Sequence, residues 1–317
     1  MTLLAAQSSG ITAPARGAPL SDLIGLAIAF VIAGAILLAV SIGHRTKRIR
    51  WLGAIGDYAE RVSGLPPWAA VPQAVGAASL ITAAFGFYWD VSWHIDRGRD
   101  PGPLANPAHW FIIFGLAGIA LAGILSVILG DEHPTGSSLR FGPDWNVPVG
   151  GLLLSICGLI ALAGFPLDDI WHRLFGQDVT LWGPTHIQMI GGASLATLAL
   201  WALAVEGERA ARAAGRPVDP RAMMRIHISL AGAFLIGMST LQAEFDFGVP
   251  QFNQLFQPAM IMLAAGIALV AARIRIGKGG ALAAVAFFLA FRGGLALLIG
   301  PILGRTLLHF PLYIAEA

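Results

Sequence analysis

Two stretches of this chain carry the same ligand-type side chains in the same order. The first is Asp90-Val91-Ser92-Trp93-His94, followed by Asp100 and then Pro107-Ala108-His109. The second is Asp168-Asp169-Ile170-Trp171-His172, followed by Asp178 and then Pro184-Thr185-His186. In each copy Asp and His stand four apart, which places them on one face of a helix. In each, an Asp follows the His by six residues and a Pro-x-His opens an apolar run. A carboxylate and two imidazoles converging on one point suit a borderline transition metal, whereas magnesium and calcium want oxygen donors. Asp168, His172 and His186 are the expected metal ligands of the second copy, and Asp90, His94 and His109 those of the first. Asp169, Asp178, Asp96 and Asp100 are available to orient the ligating imidazoles, as carboxylates around metal sites usually do. Three N/O ligands without thiolate, ringed by tryptophan, lean towards copper at the top of the divalent affinity series, with zinc and iron left open.

The elements that must position these residues are membrane spans. Of 317 residues, 56% are hydrophobic and 12% charged, and the mean hydropathy is +0.72. A soluble globular protein carries about 25% charged residues, so the composition predicts an all-α, polytopic transmembrane helical bundle. Apolar runs long enough to cross a bilayer fall near 20–43, 67–93, 109–130, 147–170, 185–205, 226–246, 258–274 and 280–304. Residues 1–19 read as a short extracytoplasmic tail without the basic start of a signal peptide, and 20–317 as the integral membrane domain. An apolar stretch from Leu307 is too short to cross and reads as re-entrant or as the start of a further span. Cys157 is the only cysteine, which excludes intrachain disulfides and a thiolate cluster.

Basic residues cluster in alternate loops: Arg45, Lys47, Arg48, Arg50 and Arg61; Arg209, Arg212, Arg216, Arg221 and Arg225; Arg273, Arg275 and Lys278. The positive-inside rule puts those loops in the cytoplasm of a bacterial-type plasma membrane, the N-terminus outside and both ligand-bearing units at the extracytoplasmic interface. Basic residues of this kind mark topology and contact with membrane lipid, not a nucleic-acid surface. The Arg- and Ala-rich segment 206–225 reads as a cytoplasmic helix lying against anionic lipid, and His227 as an interfacial residue.

Each copy is then a helical hairpin, near 67–130 and 147–205, and the pair reads as a tandem duplication. A degenerate third copy is expected near 226–274. There Gln242-Ala243-Glu244-Phe245-Asp246 stands in the Asp-x-x-Trp-His place and Pro258-Ala259-Met260 in the Pro-x-His place. Glu244 and Asp246 are possible additional site residues. Arg292, in the middle of the last span, is costly to bury alone and is expected to pair with Glu244 or Asp246, or else to serve substrate.

The second copy, Asp168-x-x-Trp171-His172-x5-Asp178-x5-Pro184-Thr185-His186-Ile187, resembles the metal-binding motif in the C subunit of particulate methane and ammonia monooxygenases. The resemblance implies copper held by Asp168, His172 and His186 in the membrane domain, and companion membrane subunits or a homo-oligomer. It covers about twenty residues and little else of the chain. The first copy matches less closely, through Asp90, Trp93, His94, Asp100, Pro107 and His109. The function expected is a membrane copper oxidoreductase or a subunit of one, with copper binding or transfer during assembly of another enzyme as the alternative. Haem ligation explains the imidazoles but not the aspartates at i, i+4. An ion relay would need polar residues below the outer cluster, and few are present.

Overall fold

The computed structural model describes residues 20–98, 104–133, 135–176, 180–305 and 309–317. Eight of its helices are long and apolar enough to cross a membrane, so the chain is an integral membrane protein of all-α architecture. In chain order the elements are α1 (Leu20–Arg45), α2 (Trp51–Ser63), α3 (Pro67–Arg97), α4 (Pro107–Ile128), β1 (Ser138–Gly142), β2 (Trp145–Pro148), α5 (Val149–Phe175), α6 (Pro184–Ala213), α7 (Pro220–Thr240), the single turn α8 (Ala243–Asp246), α9 (Phe256–Ile276) and α10 (Gly280–Leu297), extended by a π-helical turn at Leu298–Ile302.

The hairpins α3/α4 and α5/α6 form a continuous four-helix layer; α7 packs against α6, and α9 and α10 pack on α7 and on each other. α1 stands apart with none of its apolar window buried in the bundle. Small residues set the spacing in the four-helix layer. A Cβ on Gly115 would lie 2.5 Å from the Ala83 backbone nitrogen, and one on Gly158 would lie 2.5 Å from that of Ala120. Close approach of this kind is how helices associate where lipid is as apolar as the side chains. By the same measure Gly192 is a contact glycine, with Ala161 in its way, whereas Gly191, Gly293 and Gly294 face open space.

Helix boundaries follow capping chemistry, and this moves several expectations. Pro107, Pro184 and Pro220 each take a first-turn position, where the missing N–H costs nothing. Asp219 caps α7 by accepting from the Arg221 amide, so that span begins at Pro220, not near residue 226. It ends at Thr240, and Glu244 and Asp246 lie on the separate turn α8 instead of on the span. The segment 206–225 is no independent helix: it divides between the end of α6 and the start of α7. Two further elements gave no apolar run to read. β1 and β2 form an antiparallel hairpin, and α2 is amphipathic, with Leu52 and Gly56 buried and Trp51, Ile55, Tyr58 and Val62 exposed. Leu307 lies outside the described residues; residues 309–317 carry a turn at 314–316 and no helix, and lay Tyr313 against Phe288, ring centroids 5.1 Å apart, with Tyr313 2% exposed.

The basic loops gather at one end of the bundle and pair there, Arg216 with Glu60 and Lys47 with Glu132. His227 is buried at this end. Its Nδ1 accepts from Trp201 Nε1 at 3.1 Å, and Glu208 joins it to Arg275. The repeated Asp/His units lie at the other end.

Candidate metal centre

Asp90 and His94 occupy the last two turns of α3, and His109 the first turn of α4. Asp168 and His172 occupy the last turns of α5, and His186 the first turn of α6. The six side chains form two separate triads, and within each one ligand atom per residue lies within 4.8 Å of the others. In the first, Asp90 Oδ1 stands 3.4 Å from His94 Nε2 and 3.0 Å from His109 Nε2. In the second, Asp168 Oδ2 stands 3.1 Å from His172 Nε2, and Asp168 Oδ1 stands 3.3 Å from His186 Nε2. All six are half-buried, with side-chain exposures from 16% to 31%.

Backbone carbonyls hold three of the four imidazoles. His94 Nδ1 meets Gly98 O at 3.0 Å and His172 Nδ1 meets Gly176 O at 3.3 Å. His186 Nδ1 meets Thr180 O at 2.9 Å. A carbonyl only accepts, so each of these Nδ1 atoms carries the proton and each Nε2, in the neutral ring, turns a lone pair towards a carboxylate. Gly98 has φ 75° and ψ −148°, and Gly176 φ 83° and ψ 167°. That region is open essentially to glycine alone, and it turns the chain at the helix end, where each glycine carbonyl meets the ring four residues back.

Lone pairs facing a carboxylate at 3.1–3.4 Å repel unless positive charge lies between them. Protons on both imidazoles would supply it, and so would one metal ion. Bonds of about 2.0–2.2 Å around a tetrahedral metal put neighbouring donor atoms about 3.3 Å apart, close to the Asp–His separations of both triads. The residues present therefore fit a transition metal with three N/O ligands and a coordination position left over.

The aspartates are themselves held. Asn106, the N-cap of α4, accepts from the Ala108 amide with its Oδ1 and donates to Asp90 Oδ1 with its Nδ2. In the second centre Thr185 Oγ1 donates to Asp168 Oδ1. The two centres are neighbours, since the His109 ring meets Phe165 of α5 edge-on at 5.6 Å, one turn before Asp168.

The other expected residues lie outside the donor sets. Asp169 is buried and pairs with Arg173 at 2.8 Å, and Asp96 is exposed at the end of α3. Asp100 and Asp178 fall outside the described residues. Glu244 Oε1 accepts from Thr180 Oγ1 at 2.6 Å and from the Leu181 amide at 2.7 Å, and its Oε2 accepts from the Gln251 amide at 3.0 Å. It thus anchors the loop whose Thr180 carbonyl holds His186. Arg292 is fully buried and donates to Asp246 Oδ2 at 2.7 Å, with its guanidinium 3.8 Å from the Tyr88 ring centroid. That pair closes the end of the bundle, and His309 is exposed beside it, its backbone amide on Asp246 O.

Sequence reasoning missed Gly98, Gly176, Asn106 and Thr180. The glycines left a legible signal, because Asp-x3-His-x3-Gly occurs in both copies at the same spacing. Comparison with protein-family models, curated proteins and solved structures returns no match for this chain.

Proposed function

We infer that this chain is a membrane metalloprotein with two neighbouring Asp/His/His centres, that the metal is copper, and that the protein is an oxidoreductase or a subunit of one. The observation that carries metal binding is the set of Nε2 lone pairs turned on one carboxylate, with Nδ1 committed to backbone carbonyls in His94, His172 and His186. Imidazole and carboxylate without thiolate favour copper over softer-ligand chemistry, and so does the resemblance of the second copy to the monooxygenase C-subunit motif. Copper bound with a vacant position supplies one-electron chemistry and a place for a small ligand. The chain's own part is to fix donor geometry through Gly98, Gly176 and Thr180, and to hold the carboxylates through Asn106 and Thr185. The basic loops at the opposite end argue that the triads face the extracytoplasmic side. The alternative, carriage of copper to another protein, draws on the partial exposure of all six donors, which leaves them open to an exchanging partner.

The test is metal content by elemental mass spectrometry on full chain purified in mild detergent with copper supplied. Wild type is compared with His94→Ala/His109→Ala and His172→Ala/His186→Ala. Two equivalents of copper in wild type and one in each variant are expected from two triads. A folded wild type without transition metal would overturn the reading. A variant pair in which either change empties the protein would reduce the two centres to one shared site. Turnover with an oxidisable substrate, against transfer of copper to an apo-acceptor, separates the oxidoreductase from the carrier.

A further inference from the structure

Directly below the two triads the bundle is hollow. A cavity of about 300 Å³ lies between α3 and α4 on one side and α7 and α10 on the other, with α6 behind. Its walls lie one turn from Asp90, His109 and His186 on the same helix faces: Phe87 precedes Asp90 by three, Ile112 follows His109 by three, and Met189 and Ile190 follow His186 by three and four. The lining runs from Ala77 to Tyr88 along α3 and from Ser229 to Thr240 along α7. At a rise of 1.5 Å per residue that is about 16 Å along the helices. The hollow is therefore elongated along the bundle.

The small residues that line it, Ala77, Ala84, Ala193, Ala233 and Gly237 among them, leave the space unfilled. Its outer end is closed by the Tyr88 hydroxyl against Thr240 Oγ1 at 3.2 Å. Its side is open: Ile81, halfway along α3, is 55% exposed, and Ala77 beside it is exposed too. Facing them on α10, Phe287 and Phe291 stack nearly parallel, interplanar angle 8°. The lip at Ile81 falls at mid-length of a spanning helix, at hydrocarbon depth, where water-soluble molecules do not reach it. A partner's helix, 10–12 Å across, would need several times this volume over the same length. Binding cavities of this size are apolar with a few placed polar groups, and an empty one lined this way stays dry and takes apolar guests.

We propose that this cavity binds a single acyl chain of a membrane lipid, admitted sideways from the bilayer between α3 and α10 and lying lengthwise beneath the triads. The Tyr88–Thr240 hydroxyl pair meets the end of the chain nearest the headgroup. The occupancy stands apart from the metal in the triads, because no wall residue is a donor.

The test reconstitutes the full chain in phosphatidylcholine nanodiscs carrying a small fraction of phosphatidylcholine with a diazirine in one acyl chain. After photolysis, adducts are mapped by peptide mass spectrometry. Adducts on cavity-lining residues of α6 and α7, such as Ala193 and Ala233, are expected to exceed those on the lipid-facing Ile28 and Ile32 of α1 per residue. Ala233→Phe, which fills the hollow, is expected to lower the cavity adducts at least tenfold and leave the α1 adducts unchanged. Ile81→Trp, at an exposed position that tolerates bulk, blocks the lip from outside and carries the same expectation if the filled variant fails to fold. Labelling of Ala193 and Ala233 no stronger than that of α1, or labelling that neither variant lowers, would overturn the proposal.

Discussion

The two centres share a donor set and differ in what holds it. The first holds its carboxylate from within its own hairpin: Asn106, at the mouth of that hairpin, caps α4 and holds Asp90, while His109 meets Phe165 of the next hairpin. The second reaches outward: Thr185 holds Asp168, and His186 is fixed by a carbonyl whose loop is fastened by Glu244 on α8. The tryptophans diverge as well. Trp93 meets the guanidiniums of Arg97 and Arg305, 4.4 and 4.6 Å from its ring centroid, whereas Trp171 packs on Phe175 at 4.2 Å. The two hairpins share three donors and the Asp-x3-His-x3-Gly turn and differ in the supports. Donor chemistry admits few substitutes, and a support can be any group that donates from the right place.

The largest effect that tests this contrast is at Glu244. Glu244→Ala removes a buried carboxylate that accepts from three donors and releases the loop at Thr180. Loss of an outer partner of a metal ligand costs about 10–100-fold in affinity, and the second centre is expected to weaken by that amount. The first centre should be unmoved, which makes it an internal control for folding. Competitive copper titration of Glu244→Ala, in the His94→Ala/His109→Ala background and beside Glu244→Ala alone, separates the two. Equal weakening of both would show that Glu244 supports the bundle and not one site.

The role of Glu244 also marks the limit of what the sequence made legible. Spans, their number and the two donor sets follow from apolar length and from residue types four apart, which are local patterns. Glu244 acts across 64 residues on Thr180, and no local pattern encodes such a contact. The likeness of 242–260 to the other copies was visible, but its geometry was not. Capping at Asp219 shifts α7 by about one and a half turns, and that shift lifts Glu244 and Asp246 off the span onto a turn of their own. The pairing of Arg292 with Asp246 was open to expectation because an unpartnered buried charge is so costly. His227 was not, since its neighbours Trp201 and Glu208 come from α6 and Arg275 from α9, both distant from it in sequence.

The next effect in size belongs to the first centre. Asn106→Ala deletes two contacts at once. The cap on the Ala108 amide is worth about 1 kcal/mol of stability, and the amide donated to an ionised carboxylate is worth about 1.5–3 kcal/mol. A fall of roughly tenfold or more in first-centre affinity is expected from that second contact, with a small drop in thermal midpoint and the second centre intact. Asn106→Asp keeps the cap but turns an acceptor on Asp90, so it should restore the midpoint while leaving the affinity low. An affinity restored along with the midpoint would mean that Asn106 serves the helix alone.

The smallest effect comes from the corresponding contact in the second centre, where the support is a hydroxyl and the cap is elsewhere. Thr185→Val keeps shape and branching and removes only the proton donated to Asp168 Oδ1. A hydrogen bond to a charged group is worth about 1.5–3 kcal/mol when nothing replaces it. The Asp168 side chain is 20% exposed, so water can take over part of the role, and the loss should sit at the low end, about tenfold in second-centre affinity. Because α6 is started by Pro184 and not by a side-chain cap, the thermal midpoint of Thr185→Val should not follow that of Asn106→Ala. Isothermal titration with copper, run beside thermal melts of both variants, reads the two quantities separately. Matched losses of affinity and stability in both variants would erase the distinction between the centres, whereas affinity loss without stability loss in Thr185→Val alone would establish that ligand support and helix initiation are separate in one hairpin and joined in the other.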